Sequence, residues 1–322
     1  MHYRRLGRSG LKVSEISLGA WVTFGSQIEE KIAKDLILKA FDQGVNFFDN
    51  ADIYARGKAE TVMGKAIKDL PREQIVISSK VFWPTMEGPN GRGLSRKHIT
   101  ESIEQSLKRL NLDYLDLYFC HRFDPDTPVE EVVSTMNTLI QQGKILYWGT
   151  SEWRASQIAE AVGIARANNL IPPTMEQPQY NMLHRHRVES ELAPMITSLG
   201  IGLTTWSPLA SGILTGKYND GIPKGSRASM DNMAWIQDHI TAEKTEKVKL
   251  LGIIAKDLKI SMAQLAIAWL LRRKDVSSVI TGATSIEQLE ENIAAKDIVA
   301  KLTDDVLSKI ETILDNDPIE TE

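Results

Sequence analysis

The stretch Val45-Asn46-Phe47-Phe48-Asp49-Asn50-Ala51-Asp52-Ile53-Tyr54 changes abruptly from apolar side chains to carboxylates and a phenol. Its apolar part is typical of a short buried strand, and its polar part is typical of the loop that ends such a strand. Side chains in this position are held by rigid backbone and still face solvent, which suits residues that meet a substrate. A second interpretation stays open here, in which the polar stretch is an ordinary loop whose Asp caps the next helix.

The same alternation of a short strand, a loop and a helical segment recurs along the chain. Before it begins, Gly7-Arg8-Ser9-Gly10 separates two short alternating segments, residues 3–6 and 11–13, which predicts a β-hairpin. Strands of the main fold are predicted at residues 16–18, 45–48, 75–79, 115–120, 145–148, 174–176, 202–205 and 278–281.

Eight such units without a change of composition between them predict an α/β fold of the (β/α)8 TIM-barrel type. We expect a single domain over residues 1–322, with the hairpin at its N-terminus and extra helices at its C-terminus. The competing fold is an open doubly wound sheet, whose dinucleotide site requires G-x-G-x-x-G in the first turn from strand to helix. That turn reads Gly19-Ala20-Trp21-Val22-Thr23-Phe24-Gly25 and lacks the pattern.

The composition of the chain limits the classes of partner and the cellular compartment that are expected for it. A net charge of −4 gives no electrostatic field that would gather phosphates, which argues against nucleic acid as a partner. The single cysteine, Cys120, excludes an internal disulfide and fits a reducing compartment. No apolar segment of signal-peptide length follows Met1, and the longest apolar run, residues 262–271, is too short to span a bilayer. We therefore expect a cytoplasmic protein without membrane insertion.

In a barrel, the C-terminal ends of all strands converge on one face, so distant residues share one pocket. An acid, a phenol, an amine and an imidazole from the second, third and fourth strands would form a compact group for proton transfer. This group requires neither a metal nor an activated serine. The residues predicted at this face are Gly19, Asp49 with Tyr54, Lys80, His121, Ser151, Gln177, Trp206 with Ser207, and Gly282 with Thr284.

The four side chains predict a specific chemistry. A tyrosine titrates near ~10 in water, so Tyr54 needs a neighbour that stabilises its phenolate before it can protonate an alkoxide readily. Lys80 would supply that positive charge, Asp49 would orient the lysine, and His121 would donate a hydrogen bond to a carbonyl oxygen. Proton donation to a carbonyl oxygen implies reduction when a hydride donor is present.

Three tryptophans lie in loops after the first, third and seventh strands, where the walls of a carbonyl pocket would form. They are Trp21, Trp83 and Trp235, and plain packing is the alternative role for each.

Several motifs of the chain match one known family. They are Asp49-Asn50-Ala51-Asp52-Ile53-Tyr54, Gly149-Thr150-Ser151, Glu176-Gln177-Pro178-Gln179-Tyr180-Asn181, Trp206-Ser207-Pro208-Leu209-Ala210-Ser211-Gly212, Gly216-Lys217-Tyr218, and Val276-Ser277-Ser278-Val279 through Gly282 to Asn292. With these motifs the chain resembles the aldo-keto reductases, and within them the voltage-gated potassium-channel β-subunit group and its bacterial relatives. The resemblance extends from Leu6 to about Ile293. It implies a (β/α)8 barrel, NADPH as cofactor, and a catalytic tetrad of Asp49, Tyr54, Lys80 and His121.

The resemblance also implies where the cofactor and the substrate bind. Ser151 and Gln177 would hold the nicotinamide carboxamide, Trp206 would stack by the nicotinamide, and Lys217 and Arg227 would meet phosphates. The pyrophosphate would cross Ser207, Pro208, Leu209, Ala210 and Ser211. The adenosine end would lie at Gly282, Thr284, Gln288, Glu291 and Asn292. Trp21 would contact the cofactor and, together with Tyr54, Trp83 and His121, the substrate.

Two positions depart from the channel-subunit pattern. Glu152 stands where those proteins carry a basic residue, and Gly225 stands where they carry a tyrosine. We therefore expect NADPH to be held less tightly and to exchange faster than in that group.

The sequence thus predicts an NADPH-dependent oxidoreductase that reduces small aldehydes or ketones to alcohols, with Tyr54 as general acid. The resemblance suggests a homotetramer. The rival interpretation is an NADP(H)-binding regulatory or redox-sensing subunit like the channel β-subunits, although a hairpin beginning at Tyr3 is expected to leave no N-terminal extension that blocks a channel. A metal-dependent barrel hydrolase is disfavoured because no cluster of His and carboxylates is predicted at the strand ends, so no metal ligand is expected.

Overall fold

A computed structural model of the chain describes residues 1–21, 23–25 and 27–318. Eight parallel strands form a closed barrel, in which the last strand pairs with the first through Val279 and Ile16. The predicted (β/α)8 barrel is therefore confirmed. Val22, in the first turn after a strand, and the last four residues of the chain lie outside the described residues. The strands are β1 (Tyr3–Arg5), β2 (Lys12–Ser14), β3 (Ile16–Gly19), β4 (Phe47–Asp49), β5 (Val76–Val81), β6 (Leu115–Cys120), β7 (Ile145–Ser151), β8 (Met175–Gln177), β9 (Gly202–Thr205) and β10 (Val276–Thr281).

Helices surround the barrel and bury their apolar faces against it. They are α1 (Glu30–Asp42), α2 (Lys58–Ile67), α3 (Arg96–Leu110), α4 (Val129–Gln141), α5 (Ala155–Ala167), α6 (Ala193–Leu199), α7 (Ala242–Asp257), α8 (Met262–Leu271), α9 (Ile286–Ala294) and α10 (Asp304–Leu314). Helix α10 follows the last strand-and-helix unit, so an extra C-terminal helix is confirmed. On α1, Ala33, Leu36 and Ala40 are buried, whereas Ile32 is 40% exposed. Steps of four residues drift around a helix of 3.6 residues per turn, and Ile32 lies beyond the edge of the buried stripe.

The interior of the barrel is filled by its own side chains and closed at one end by the hairpin. Leu6 and Val13 of the hairpin are fully buried and pack in the same cluster as Phe47 and Phe119 of the barrel strands. Gly7 has a φ of +57°, and a Cβ there would lie 2.3 Å from the carbonyl oxygen of Gly200. Only glycine allows the backbone to approach this closely. The packed hairpin closes the N-terminal end of the barrel and leaves the opposite end open for a site.

The pleat of the strands decides which polar residues reach that open end. Along β5, Ser78 and Lys80 point into the barrel, whereas Ile77 and Ser79 point towards the helices. On β6, Cys120 packs in the helix-facing core. Asp49 and Lys80 thus lie on the inner face, near the C-terminal ends of neighbouring strands.

The segment between β9 and α7 covers this open end. It contains 3-10 turns at Ala210–Thr215, Arg227–Ser229 and Asp231–His239 rather than a long helix. Within the described residues, the helices are all too short or too polar to cross a lipid bilayer.

Candidate active site

Asp49 and Lys80 form a buried ion pair at the centre of the open end. The Lys80 ammonium donates to Asp49 Oδ2 at 2.6 Å and to the carbonyl oxygen of Asn50 at 2.6 Å. The side chains of Lys80 and Asp49 are 0% and 4% exposed. Tyr54 Oη lies 3.3 Å from the same ammonium, so three of the predicted tetrad residues are in direct contact.

The second oxygen of Asp49 is engaged as well. Oδ1 accepts hydrogen bonds from Ser78 Oγ at 2.7 Å and from Gln177 Nε2 at 3.0 Å. Ser151 lies beside them and donates through Oγ to the carbonyl oxygen of Gln177 at 2.9 Å. Hydrogen bonds to an ionised carboxylate are among the stronger ones in proteins, so Asp49 fixes the lysine and links it to the β7–β8 side of the site.

Tyr54 begins a strained turn at the rim of the site. Ala55 and Arg56, which follow it, have φ values of +48° and +54°, a region that non-glycine residues rarely adopt. The Tyr54 ring meets the ring of His121 edge to face, with centroids 5.9 Å apart. His121 directly follows β6, and its Nδ1 has no hydrogen-bond partner among the described residues. The phenol and the imidazole therefore converge from two different strands.

The protonation of this cluster is set mainly by burial. Burial and the Asp49 carboxylate raise the pKa of the Tyr54 phenol well above its ordinary value. Burial also lowers the pKa of Lys80, and burial with the charges of Lys80 and Arg122 lowers the pKa of His121 well below its ordinary value. The phenol is thus protonated and the imidazole neutral at pH 7. Burial and Asp49 thus outweigh Lys80 in setting the pKa of the Tyr54 phenol. That Lys80 stabilises the phenolate during proton transfer stays a prediction.

The tetrad opens into a cavity of about 450 Å³. Trp21 and Trp83 line it, as expected, and Trp21 packs edge to face on Trp206 with centroids 5.7 Å apart. Trp235 does not belong to the wall: it is 42% exposed and stacks on His239. The 3-10 segment that carries Trp235 turns this ring outwards. Met230, Met233 and Arg122, which the sequence did not single out, line the cavity together with Ile53 and Ala55.

A second cavity, of about 420 Å³, adjoins the first. The two share Ser207, Pro208, Arg227 and Gly282 in their walls. Of the residues predicted to bind the cofactor, Ser151, Gln177, Trp21 and Trp206 line the first cavity, and Ala210 lines neither. The second cavity is lined by Ser207, Pro208, Leu209, Ser211, Lys217, Arg227, Gly282, Thr284, Gln288, Glu291 and Asn292.

The second cavity has the chemistry of a phosphate site. Lys217 and Arg227 both line it, and neither pairs with a carboxylate of residues 1–21, 23–25 and 27–318. Burial and the neighbouring Arg227 lower the pKa of Lys217, and burial lowers the pKa of Arg227. A bound anion would stabilise the charged forms of both side chains. Gly282 gives room, since a Cβ there would lie 3.2 Å from Arg227 Nη2. The residues present therefore fit the phosphates of a dinucleotide.

The two departures noted in the sequence lie at different places: Glu152 contacts Trp206 of the first cavity, and Gly225 lines the second. Glu152 has a φ of +60°, accepts hydrogen bonds from the Gln179 amide at 2.6 Å and from Trp206 Nε1 at 2.9 Å, and forms an ion pair with Arg187. The acid thus holds the Trp206 ring in place instead of offering a charge to a ligand. Gly225 lines the second cavity. Faster cofactor exchange stays a prediction.

Comparisons with known proteins identify the family of the chain. A chain from Oryza sativa subsp. japonica, named as a probable voltage-gated potassium channel subunit beta, is 52% identical over 326 residues, which cover 100% of this chain and 99% of the relative. A protein of the same name from Arabidopsis thaliana is 53% identical over 322 residues, covering 99% and 98%. The family model described as the Aldo/keto reductase family matches residues 15–315. The chain therefore belongs to the aldo/keto reductase family, a family of oxidoreductases that generally bind NAD(P)H.

Proposed function

We propose that the protein is an NADPH-dependent reductase of aldehydes or ketones. The observation that supports this most strongly is the contact of Tyr54 Oη with Lys80 Nζ at 3.3 Å, at the wall of an apolar cavity. A protonated phenol facing such a cavity is placed to give its proton to a carbonyl oxygen as charge develops on that oxygen.

Each member of the tetrad has a distinct task. Tyr54 is the general acid, and Lys80 stabilises the phenolate that remains after proton transfer. Asp49 holds Lys80 charged and aimed, since its carboxylate lies 2.6 Å from the ammonium. His121, whose lowered pKa keeps it neutral, donates a hydrogen bond that orients the substrate carbonyl.

The residues around the two cavities would hold the cofactor, which when bound supplies a hydride to the carbonyl carbon. Ser151 and Gln177 would hold the carboxamide of its nicotinamide, and Trp206 would pack against the ring. Lys217 and Arg227 would bind phosphates. The planar guanidinium of Arg227 suits a 2′-phosphate, which favours NADPH over NADH. The homotetramer and the cytoplasmic location that the sequence suggests stay predictions.

The proposal is tested by following NADPH oxidation against small aldehydes, aromatic aldehydes and quinones. We expect Tyr54→Phe to lower kcat by about 10²–10⁴-fold and to leave NADPH binding intact. Tyr114→Phe is the matched control, because that ring stacks under Arg72, whose guanidinium carbon lies 4.0 Å from the centroid, outside the cavity lining. A Tyr54→Phe enzyme that keeps the wild-type rate would refute the assignment.

The names of the two relatives favour a second candidate, an NADP(H)-binding regulatory or redox-sensing subunit. It uses the same cofactor cavity without requiring turnover. Tight NADPH binding with negligible turnover on every carbonyl of the panel, together with co-purification of a membrane channel, would favour this candidate over the reductase.

A further inference from the structure

Arg122 is a cation in the wall of the substrate cavity. It follows His121 in the chain, and its Nη1 donates to the carbonyl oxygen of His121 at 2.5 Å. A guanidinium has five N–H donors, so most of the hydrogen-bonding capacity of Arg122 is unused by the described residues.

The charge of Arg122 also lacks a dedicated partner. No carboxylate of the described residues forms an ion pair with it, and the carboxylates whose charges raise its pKa are Glu152 and Glu176. Glu152 is paired with Arg187, and Glu176 lies 3.9 Å from the same arginine. Burial raises the pKa of Glu176 to about 8, so this acid is mostly neutral at pH 7. The positive charge of Arg122 is therefore largely uncompensated by the described residues.

Two other arginines in the protein interior, Arg109 and Arg185, are paired with carboxylates. Arg109 pairs with the buried Glu60 at 2.6 Å, and Arg185 pairs with Glu189 at 2.8 Å. Arg122 instead lies beside the Trp83 ring, with its guanidinium carbon 5.6 Å from the ring centroid. A partly buried guanidinium that packs against an aromatic ring and has no carboxylate partner is suited to bind an anion.

We propose that Arg122 selects carbonyl substrates that carry a carboxylate, an inference that rests on the proposed reductase function. The same Trp83 ring contacts His121, with centroids 6.3 Å apart, so Trp83 lies next to both His121 and Arg122. A substrate that packs on Trp83 would have its carbonyl at the tetrad and its anionic end at Arg122. One guanidinium binds one carboxylate through two parallel hydrogen bonds and balances its single charge. A phosphate monoester carries nearly two charges and would need further donors, which makes a carboxylate the better match.

The test uses pairs of aldehydes of equal shape and different charge. These are 4-formylbenzoate with 4-formylbenzamide, and 4-oxobutanoate with 4-oxobutanamide. We expect the wild type to have a higher kcat/KM for the acid of each pair. Arg122→Met keeps the apolar stem and removes the charge, and we expect it to lower the acid-to-amide ratio by on the order of 10- to 100-fold. Arg122→Lys should restore part of the ratio.

Arg92→Met is the matched control. The Arg92 guanidinium also lies near Trp83, at 5.7 Å from the centroid, but the residue is exposed and does not line the cavity. We expect this variant to keep the wild-type ratio. As a check that needs no variant, benzoate should compete with the aldehyde more strongly than benzamide does on the wild-type enzyme.

Two results with the Arg122→Met variant would overturn the inference. One is an acid-to-amide ratio that Arg122→Met leaves unchanged, and the other is an equal fall for acid and amide, which would assign Arg122 to the acidity of Tyr54 instead. If the wild type reduces both aldehydes of a pair without preference, only this inference fails. If it reduces neither member of either pair but reduces other carbonyls of the panel, again only this inference fails. If it reduces no carbonyl at all, the proposed function fails and this inference fails with it.

Discussion

Two buried ion pairs lie on opposite faces of strand β5, and only one of them faces a cavity. On the inner face, Lys80 pairs with Asp49 at 2.6 Å beside Tyr54. On the outer face, Ser79 donates to Glu60 Oε1 at 2.5 Å, and Glu60 Oε2 accepts from Arg109 at 2.6 Å. Each pair contains one fully buried charged side chain, Lys80 in the inner pair and Glu60 in the outer pair, so a buried charge alone does not separate the two pairs.

The difference lies in what surrounds each pair. The outer pair joins α2 to α3, and Gly57 packs so closely on Arg109 that a Cβ there would lie 2.8 Å from its Cδ. The inner pair contacts a phenol that opens into a cavity of about 450 Å³. A buried ion pair is therefore a sign of function only where a proton-transferring group and room for a substrate adjoin it.

The largest expected effect is that of breaking each pair. Lys80→Met leaves the Asp49 carboxylate buried without its partner, and we expect a loss of about 3–5 kcal/mol in the free energy of unfolding. Turnover should fall by at least about 100-fold in the folded fraction, because the phenolate loses its cation. Urea unfolding and NADPH oxidation measure the two effects.

Arg109→Met is the matched test on the outer face. We expect a smaller loss of stability, because the Arg109 side chain is 25% exposed and water reaches Glu60 once the guanidinium is removed. The kcat of the folded enzyme should not change. An equal loss of turnover in the two variants would contradict the distinction between a functional and a structural pair.

A smaller effect is expected at Asp52, which lies beside the outer pair. Asp52 is 1% exposed, and neither of its oxygens accepts a well-formed hydrogen bond from a described residue. The nearby backbone amide of Ile53 stabilises the charged form of Asp52 only in part. Burial and the charge of Glu60 raise its pKa well above the ordinary value. The raised pKa contributes to the free energy of unfolding. This contribution is fully present below the unfolded pKa of about 3.9 and is lost as the pH rises through the folded pKa.

Asp52→Asn removes this titration and keeps the shape. We therefore expect the variant to be more stable than the wild type by roughly 1 kcal/mol or more at pH 7, because only the wild type must take up a proton on folding. The gain should vanish near pH 4, where the unfolded carboxyl is protonated too. Urea unfolding at both pH values measures it, and a variant that is less stable at pH 7 would refute a protonated Asp52.

The smallest expected effect concerns the pH dependence at His121 on the inner face. Burial lowers its pKa, so the stability that His121 contributes is complete above the unfolded pKa of about 6.5 and is lost as the pH falls towards the folded pKa. Between pH 7.5 and 5.5 we expect the wild type to lose roughly 1 kcal/mol more than His121→Asn, measured by urea unfolding. Equal losses would mean that folding leaves the pKa of His121 unchanged, which would contradict a buried neutral imidazole.

The sequence was sufficient for the barrel and for the position of the tetrad. Strand periodicity places Asp49, Lys80 and His121 at one end of the barrel, and the pleat sends them to the inner face. Arg122, Met230 and Met233 were missed because loop conformations bring them to the cavity, and loops have no periodicity from which to predict them.

Two other features depend on tertiary environment. The link from Glu152 to Trp206 requires a φ of +60° at the acid and joins residues that follow two different strands, β7 and β9, which no local pattern encodes. The raised pKa of Tyr54 was missed for a similar reason: counting charges in the sequence gives weight to Lys80 but none to burial.

The central claim, that Tyr54 is the acid of a hydride-transfer reaction, is tested most directly by a single turnover with NADPH deuterated at both C4 hydrogens. In excess of enzyme over an aromatic aldehyde, the wild type should give an alcohol that carries one deuterium on its carbinol carbon. Tyr54→Phe, with the cofactor bound equally well, should give almost none in the same time. Transfer at the wild-type rate by Tyr54→Phe, or no transfer by the wild type, would contradict the account.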